Sequence, residues 1–440
     1  MTKQMKLGAF FNVPGHHFAS WRIPSTEPER TLDLDYFTEL AQIAERGKFD
    51  TIFFADGLGA QPDEYTVSGI KLDPIMIQAS LSAVTKHIGL VATLTTSYNE
   101  PFQIARKYMS LDHLSKGRAA WNVVTSMLES EAQLFGKETH IKHANRYERA
   151  EEFVDIVKQF WLSIDRDALV INKETGQYLD VTKTNEVNYE GKHLKAKGFL
   201  DVPTSRQGHP VVVQAGSSDA GKELAARTAE VIFTAAQTLE DAQAFYKDVK
   251  DRLAKYGRDK DDLKIMPGVF ITVAETEAEA IVKRKKWNSY IHPQAGLNYL
   301  STYLGTDLSG YNVDGPIPNK IDTEDKTNPN TRANLVRSIV QRENLQTIRE
   351  LYEFIAGARG HREIVGTPAQ IADQLQEWFE NEAADGFNVM APTFPEGLTD
   401  IVELVIPELQ RRGIFRTEYE GTTLRENLGL KNPVLELQRV

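Results

Sequence analysis

The chain has 440 residues, of which 41% are hydrophobic and 26% charged, with 62 acidic against 51 basic side chains. That balance, with no long Lys/Arg-rich run, argues against a nucleic-acid-binding protein. The absence of cysteine excludes disulfides, a thiolate nucleophile and cysteine-ligated zinc or iron–sulfur centres.

Strand and helix patterns alternate from the first residues. Residues 6–13 read as a strand, with no apolar signal core before them, and 34–46 as an amphipathic helix stopped by Gly47. Residues 51–55 form an apolar strand ending at Asp56-Gly57, followed by a helix at 74–87, a strand at 88–96, a helix at 101–114 and a strand at 119–125. A helix is expected from about Arg146 to Trp161, and strands at 211–214 and 231–235 flank another at 219–230. A helix over 239–256, a strand at 266–273, helices at 277–290 and 367–382, a strand at 387–391 and a helix at 400–411 complete the series. No stretch reaches the ~18 apolar residues of a membrane span, so a soluble, cytoplasmic protein with no membrane partner is expected.

Eight nearly continuous apolar strands separated by helices imply a parallel sheet buried on both faces. Eight βα units favour an α/β fold closed as a (β/α)8 TIM barrel over an open doubly wound sheet. The expectation is one barrel domain, 1–440, with long insertion segments at about 164–209 and 292–364. The first shows hairpin-like polar alternation around Gly176 and Gly191. The second is rich in Pro, Gly, Asn and Asp, above all at 310–330. Both are expected to act as lids.

Functional groups of a parallel barrel collect at the C-terminal ends of its strands. Those ends carry Asn12 with His16 and His17, Asp56, the run 93–97, Asn122 with Thr125 and Ser126, Ser217-Ser218, and Thr234. The set is hydrogen-bonding but poor in acid–base pairs. There is no G-x-S-x-G elbow, dinucleotide fingerprint or P-loop, and His140 and His143 are too few to define a metal site. One stretch stands apart, Pro210-Val-Val-Val-Gln-Ala-Gly-Ser-Ser-Asp-Ala-Gly-Lys222: a strand, a tight turn, two hydroxyls and a helix. The first turn of that helix offers unpaired N–H groups and the positive end of the dipole, which suits a phosphate. The competing reading is a simple cap at Ser218 or Asp219. A barrel with few catalytic side chains and a phosphate-type site points to a phosphorylated cofactor that brings the chemistry itself. Flavin mononucleotide and a deazaflavin fit; pyridoxal phosphate needs a lysine within or at the end of a strand, and Lys6 and Lys264 stand at strand beginnings.

Three motifs resemble the flavin-dependent monooxygenases of the bacterial-luciferase superfamily: Arg46-Gly-Lys-Phe-Asp-Thr-Ile-Phe-Phe-Ala-Asp-Gly57, Ser110-Leu-Asp-His-Leu-Ser-Lys-Gly-Arg-Ala-Ala-Trp-Asn-Val-Val-Thr-Ser126 and His143-Ala-Asn-Arg-Tyr-Glu-Arg-Ala-Glu-Glu-Phe153. The branch resembled is that of nitrilotriacetate monooxygenase component A and the dibenzothiophene-sulfone monooxygenases, almost end to end. The stretches around Gly208–Ser218, Gly221–Glu230 and Gly357-Ala-Arg-Gly-His-Arg362 are most similar to the nitrilotriacetate enzyme. The resemblance implies a two-component enzyme using reduced FMN from a separate NAD(P)H:FMN reductase. With O2 it would oxidise the carbon beside a substrate N or S, with C–N or C–S cleavage. It puts Asp56, Thr95 and Asn122 at the isoalloxazine ring, and His143, Tyr147, Ser217 and Ser218 on the ribityl chain and phosphate. His16, Phe53 and His292 would line the catalytic pocket. His361 and Arg362 suit a carboxylate-bearing substrate; the competing reading for Arg362 is a salt bridge to Glu363 or Glu353. Aminopolycarboxylates are the first expectation for the substrate, S-alkylated or succinylated cysteine thioethers the second, sulfones or sulfonates the third. A deazaflavin (F420)-dependent oxidoreductase and a flavin-storage protein stay open as alternatives, and a homodimer or homotetramer is expected.

Overall fold

In the computed structural model, which describes residues 3–60, 62–67, 69–126, 128–304, 306–318, 331–358 and 360–433, strands and helices alternate as the apolar pattern requires. The strands are β1 (Lys6–Phe10), β2 (Thr51–Phe54), β3 (Gly89–Thr95), β4 (Ala119–Val124), β5 (Val187–Glu190), β6 (Lys195–Gly198), β7 (Val211–Ala215), β8 (Val231–Thr234), β9 (Lys264–Val273), β10 (Arg362–Gly366) and β11 (Gly386–Met390). β1, β2, β3, β4, β7, β8, β9 and β11 pair in parallel in that order, and β11 returns to β1 from Lys6↔Gly386 to Phe10↔Met390. This is the expected (β/α)8 TIM barrel. Alternate residues point in and out. Phe53, Val91, Ala120, Val213 and Met266 fill the interior, whereas Ile52, Leu90, Trp121 and Val212 pack outward beneath the helices.

The helices begin where the capping chemistry lies. Asp33 accepts the N–H of Asp35 at 2.9 Å and starts the helix Leu34–Arg46, whose Tyr36, Phe37, Leu40, Ala41 and Ile43 form one buried stripe. Burying a leucine such as Leu40 contributes about 1.5–3 kcal/mol, and Leu40→Ala would cost about 2–5 kcal/mol. The helix expected from Arg146 begins a turn earlier, at His143, and ends as expected at Trp161.

Both ends of the barrel are closed. At the N-terminal end Leu424 and Leu428 join the interior cluster. A Cβ on Gly89 would stand 2.5 Å from Leu424 Cδ1, so β3 begins with glycine because the plug passes against it. Arg425 beside them pairs with Glu230 and donates from Nε to the Gln207 carbonyl at 2.9 Å.

The second insertion folds into the helices Pro293–Leu304, Thr331–Glu343 and Ile348–Ala358, with their own core of Leu297, Leu300, Val336, Ile339, Leu351 and Ile355. They rest on loops that leave the C-terminal ends of β1 and β2: Phe18 packs on Tyr299 at 4.7 Å, His292 stacks on Tyr65 at 4.1 Å, and Asn298 donates to Asp63 at 3.1 Å. This insertion is a cap seated on the loops of the C-terminal face. Residues 319–330, within the Gly/Asn-rich stretch, lie outside the described residues.

Two expectations need correction. The insertion 164–209 does not cover the mouth. It leaves the end of a helix, hence the opposite end of the barrel, and its β5–β6 hairpin lies along the outside of the helix His143–Trp161. There Glu152 accepts the N–H groups of Lys192, His193 and Leu194, each at 2.9 Å. The stretch at the end of the second insertion holds an additional strand, β10, paired with β9 from Arg362↔Val269 to Gly366↔Val273.

Candidate active site at the C-terminal mouth of the barrel

A cavity of about 290 Å³ opens beside the ends of β2, β3, β4 and β7, with Asp56, Thr95, Glu131, Arg146, Tyr147 and Gln214 on its walls. Asp56 is 12% exposed and pairs with Lys71 at 2.7 Å. Burial raises its carboxyl pKa and Lys71 opposes the rise. The buried Thr95 hydroxyl accepts from Ser97 N–H at 3.1 Å and from the Ser126 hydroxyl at 2.9 Å. Below it, Asn122 Nδ2 donates to Thr93 Oγ1 at 2.8 Å, and Thr93 in turn donates to the Phe54 carbonyl at 2.6 Å. Asn122 Oδ1 is buried without a partner among the described residues. A buried amide left half satisfied is costly unless a ligand completes it.

The Ser217-Ser218 turn, next to the Tyr147 wall of the cavity, holds the helix cap. Ser218 is the N-cap of the helix Asp219–Thr228, its Oγ accepting Gly221 N–H at 3.1 Å. The same hydroxyl stands 3.4 Å from that of Tyr147. Gly216 and Gly221 approach so closely that a Cβ on Gly216 would lie 3.3 Å from Gly221 Cα. Ser217 and Ser218 are exposed, facing outward from a helix start. His143 opens the helix one turn before Tyr147, and its side chain lies outside the described residues.

The centre of the mouth is aromatic. Phe10 meets Phe53 at 5.0 Å and Phe233 at 5.6 Å, edge to face. Phe53 is thus part of the barrel's interior packing, and imidazoles flank this floor. His16 is buried, its ring 4.4 Å from Phe10 and its Nε2 2.9 Å from the Phe10 carbonyl. A carbonyl only accepts, so Nε2 carries the proton. His361 stacks on Phe233 at 5.1 Å. The approach depends on Gly268, where a Cβ would stand 2.5 Å from His361 Nδ1. His292 stacks on Tyr65 beneath the cap, and its buried Nδ1 has no partner among the described residues.

Arg362 lines a cleft together with His361. Its guanidinium lies 4.7 Å over Trp378 in the helix layer and donates to Gln374 Oε1 at 2.6 Å. It does not pair with Glu363, which holds Arg284 through two bonds of 2.7 Å.

Several wall residues escaped sequence reasoning. Glu131 ties two loops by accepting Leu58 N–H and Leu128 N–H, each at 3.1 Å. Arg146 is bonded to His140 Nε2 at 2.6 Å and leaves its buried Nε without a partner among the described residues. Gln214 donates to the Gly221 carbonyl at 3.2 Å, holding strand end to helix start. Only Arg146 carried a usable signal, since it adjoins Tyr147 in the motif.

The fold and the mouth define a barrel enzyme with a hydroxyl-bearing cavity wall beside an aromatic floor. The chain belongs to the luciferase-like monooxygenase family, which it matches over residues 13–385, and it is a monooxygenase. It is 51% identical to N-acetyl-S-(2-succino)cysteine monooxygenase of Bacillus subtilis (strain 168) and 50% identical to nitrilotriacetate monooxygenase component A of Aminobacter aminovorans, with 98% of each chain covered in both comparisons. A solved riboflavin lyase holding modified FMN and riboflavin shares 30% identity, with a TM-score of 0.84 over 98% of this chain and 97% of that one. No helix among the described residues is long and apolar enough to cross a membrane.

Proposed function

We propose that this chain is the oxygenase of a two-component system that uses reduced FMN, delivered by a separate NAD(P)H:FMN reductase, and O2. The observation that carries the reading is the pair of Ser218 and Tyr147 hydroxyls, 3.4 Å apart at a helix N-terminus. Backbone N–H groups and hydroxyls suit a phosphate, and Arg146 adds a full positive charge to the same wall. The Asp56 carboxyl at the other end, and the half-satisfied Asn122 bonded to Thr93 behind that wall, suit the polar edge of a flavin ring. Ser217, Ser218, Tyr147 and His143 would hold the phosphate and ribityl chain, and Thr95, Asn122 and Asp56 the ring. When bound, the reduced flavin supplies the electrons that activate O2. The chain's own residues orient it, and the cap excludes water from the mouth.

The substrate falls between His16, His361 and His292, on the aromatic floor. A small anionic amine or thioether is favoured, oxidised at the carbon beside N or S so that the C–N or C–S bond breaks. Two relatives of half-identical sequence support this class, since one is named for an amine tricarboxylate and the other for a succinylated cysteine. Oxygen uptake with an added flavin reductase and a panel of such compounds tests the proposal. Substrate-dependent uptake is expected. Tighter binding of a deazaflavin than of FMN, or FMN binding without uptake for any compound, would overturn it.

A further inference from the structure

Arg362 faces a second cavity. It measures about 430 Å³ and lies between the barrel rim and the cap, with Gln237, Arg284, Arg342, Phe354, Arg362 and also His361 of the substrate floor among its walls. Three arginines and two glutamates contribute to the lining, and Arg284 and Glu363 neutralise one another. Arg362 is held by neutral acceptors, Gln374 and the Gln237 carbonyl, the latter at 3.2 Å. Its Nε is buried with no partner among the described residues. Burial lowers its pKa, and the charge of Glu377 opposes the fall.

The other arginine arrives from the cap. Arg342, on the helix Thr331–Glu343, donates to Gln237 Oε1 at 2.9 Å and pairs with its neighbour Glu343 at 2.8 Å. Two guanidiniums, one from the cap and one from the rim, therefore converge on a single glutamine. Arg342 carries its counter-charge at Glu343, whereas Arg362 is bonded only to neutral acceptors, and a partly buried guanidinium held that way is stabilised by an incoming anion. Guanidiniums bind oxyanions through directed N–H bonds.

We propose that this cleft is an oxyanion site separate from the flavin cavity, taking the carboxylate or phosphate group of a small molecule. Arg362 Nε and Arg342 grip the oxyanion, and Ile339, Phe354 and Ile355 receive a short apolar body. Because one arginine belongs to the cap and the other to the rim, the bound anion ties the cap to the barrel.

The test is calorimetric titration of the full chain with succinate, citrate and inorganic phosphate, together with deuterium uptake across residues 331–358. Saturable binding of at least one anion and slower uptake in that segment are expected. Arg342→Gln and Arg362→Gln should each weaken binding about tenfold or more, while Tyr147→Phe, in the other cavity, leaves succinate and citrate binding unchanged. The ranking of succinate and citrate against phosphate assigns the preferred group. If the Trp378 stack makes Arg362→Gln unstable by thermal melting, the more exposed Arg342→Gln decides alone. No saturable binding of any of the three anions overturns the proposal. So does succinate or citrate binding that survives Arg342→Gln but is lost in Tyr147→Phe.

Discussion

Replacing Tyr147 by phenylalanine isolates the cofactor's phosphate from the rest of the molecule. The ring and its packing stay, and only a hydroxyl 3.4 Å from Ser218 Oγ is removed. At that separation the bond between the hydroxyls is weak, so folding stability should change by less than about 1 kcal/mol. A hydrogen bond to a charged phosphate is worth about 1.5–3 kcal/mol, which is roughly 10- to 150-fold in Kd. FMN should therefore bind about that much more weakly, whereas riboflavin, which lacks the phosphate, should bind as before. Ser218→Ala should also weaken FMN, but it removes the helix cap as well, at about 0.5–2 kcal/mol of stability, and is the less specific probe. Fluorescence titration with the two flavins reads the difference directly. Equal losses for FMN and riboflavin, or an FMN change below about threefold, would refute the placement of the phosphate.

Other consequences follow from packing and charge. Gly268→Ala forces a methyl to within 2.5 Å of His361 Nδ1 and 2.9 Å of Phe233; it should cost about 1–3 kcal/mol in urea unfolding and raise KM more than it lowers kcat. An unchanged KM would remove His361 from the substrate pocket. Arg425→Ala strands Glu230, which Arg425 holds at a pKa of about 2 against the effect of burial; a loss of about 3–5 kcal/mol is expected, partly recovered by adding Glu230→Gln, and a loss below about 1 kcal/mol would contradict the plug. His209 is buried against Trp161, and its pKa falls from 6.5 to about 3, first by burial and then by Arg425. Its folded pKa is lowered, so the unfolded chain takes up the proton first and stability falls with pH below 6.5, by up to about 1.4 kcal/mol per unit. Asp112, pushed up to about 6 by burial, acts in the opposite sense below pH 6. The slope lost in His209→Gln relative to the wild type therefore measures the histidine, and parallel curves would exclude it.

The barrel was readable because parallel strands buried on both faces are apolar almost throughout, and β3 and β9 are buried at every position. β10 was not, because Arg362-Glu-Ile-Val-Gly366 pairs only with β9 and alternates with partly exposed positions. The cap helix Ile348–Ala358 carries Ile348, Leu351, Tyr352 and Ile355 at helical spacing, a signal outweighed by the Gly/Asn-rich stretch before it. The lid reading of 164–209 failed on a rule the sequence already contained. A segment that follows a helix and precedes a strand lies at the end of the barrel opposite the mouth. On the cavity wall, Asp56 and Thr95 were legible from their positions at strand ends. Glu131 and Gln214 were not, since each acts by bonding backbone that only the folded chain brings near.

The two substrate classes make different demands on His16, and this separates them. An amine that arrives protonated must lose its proton before the carbon beside nitrogen is oxidised, whereas a thioether has none to lose. His16 donates from Nε2 to the Phe10 carbonyl at 2.9 Å, so the neutral ring keeps Nδ1 as its basic nitrogen. That tautomer equips it to accept a proton at the edge of the aromatic floor. With an amine substrate, kcat/KM should rise with pH in the wild type, and the part of the rise due to the enzyme should vanish in His16→Gln. With a thioether the two profiles should run parallel, and His16→Gln should act mainly through KM. If the pH limb with an amine survives in His16→Gln, the histidine is a packing residue against Phe10 and Phe394, and the proton leaves by another route.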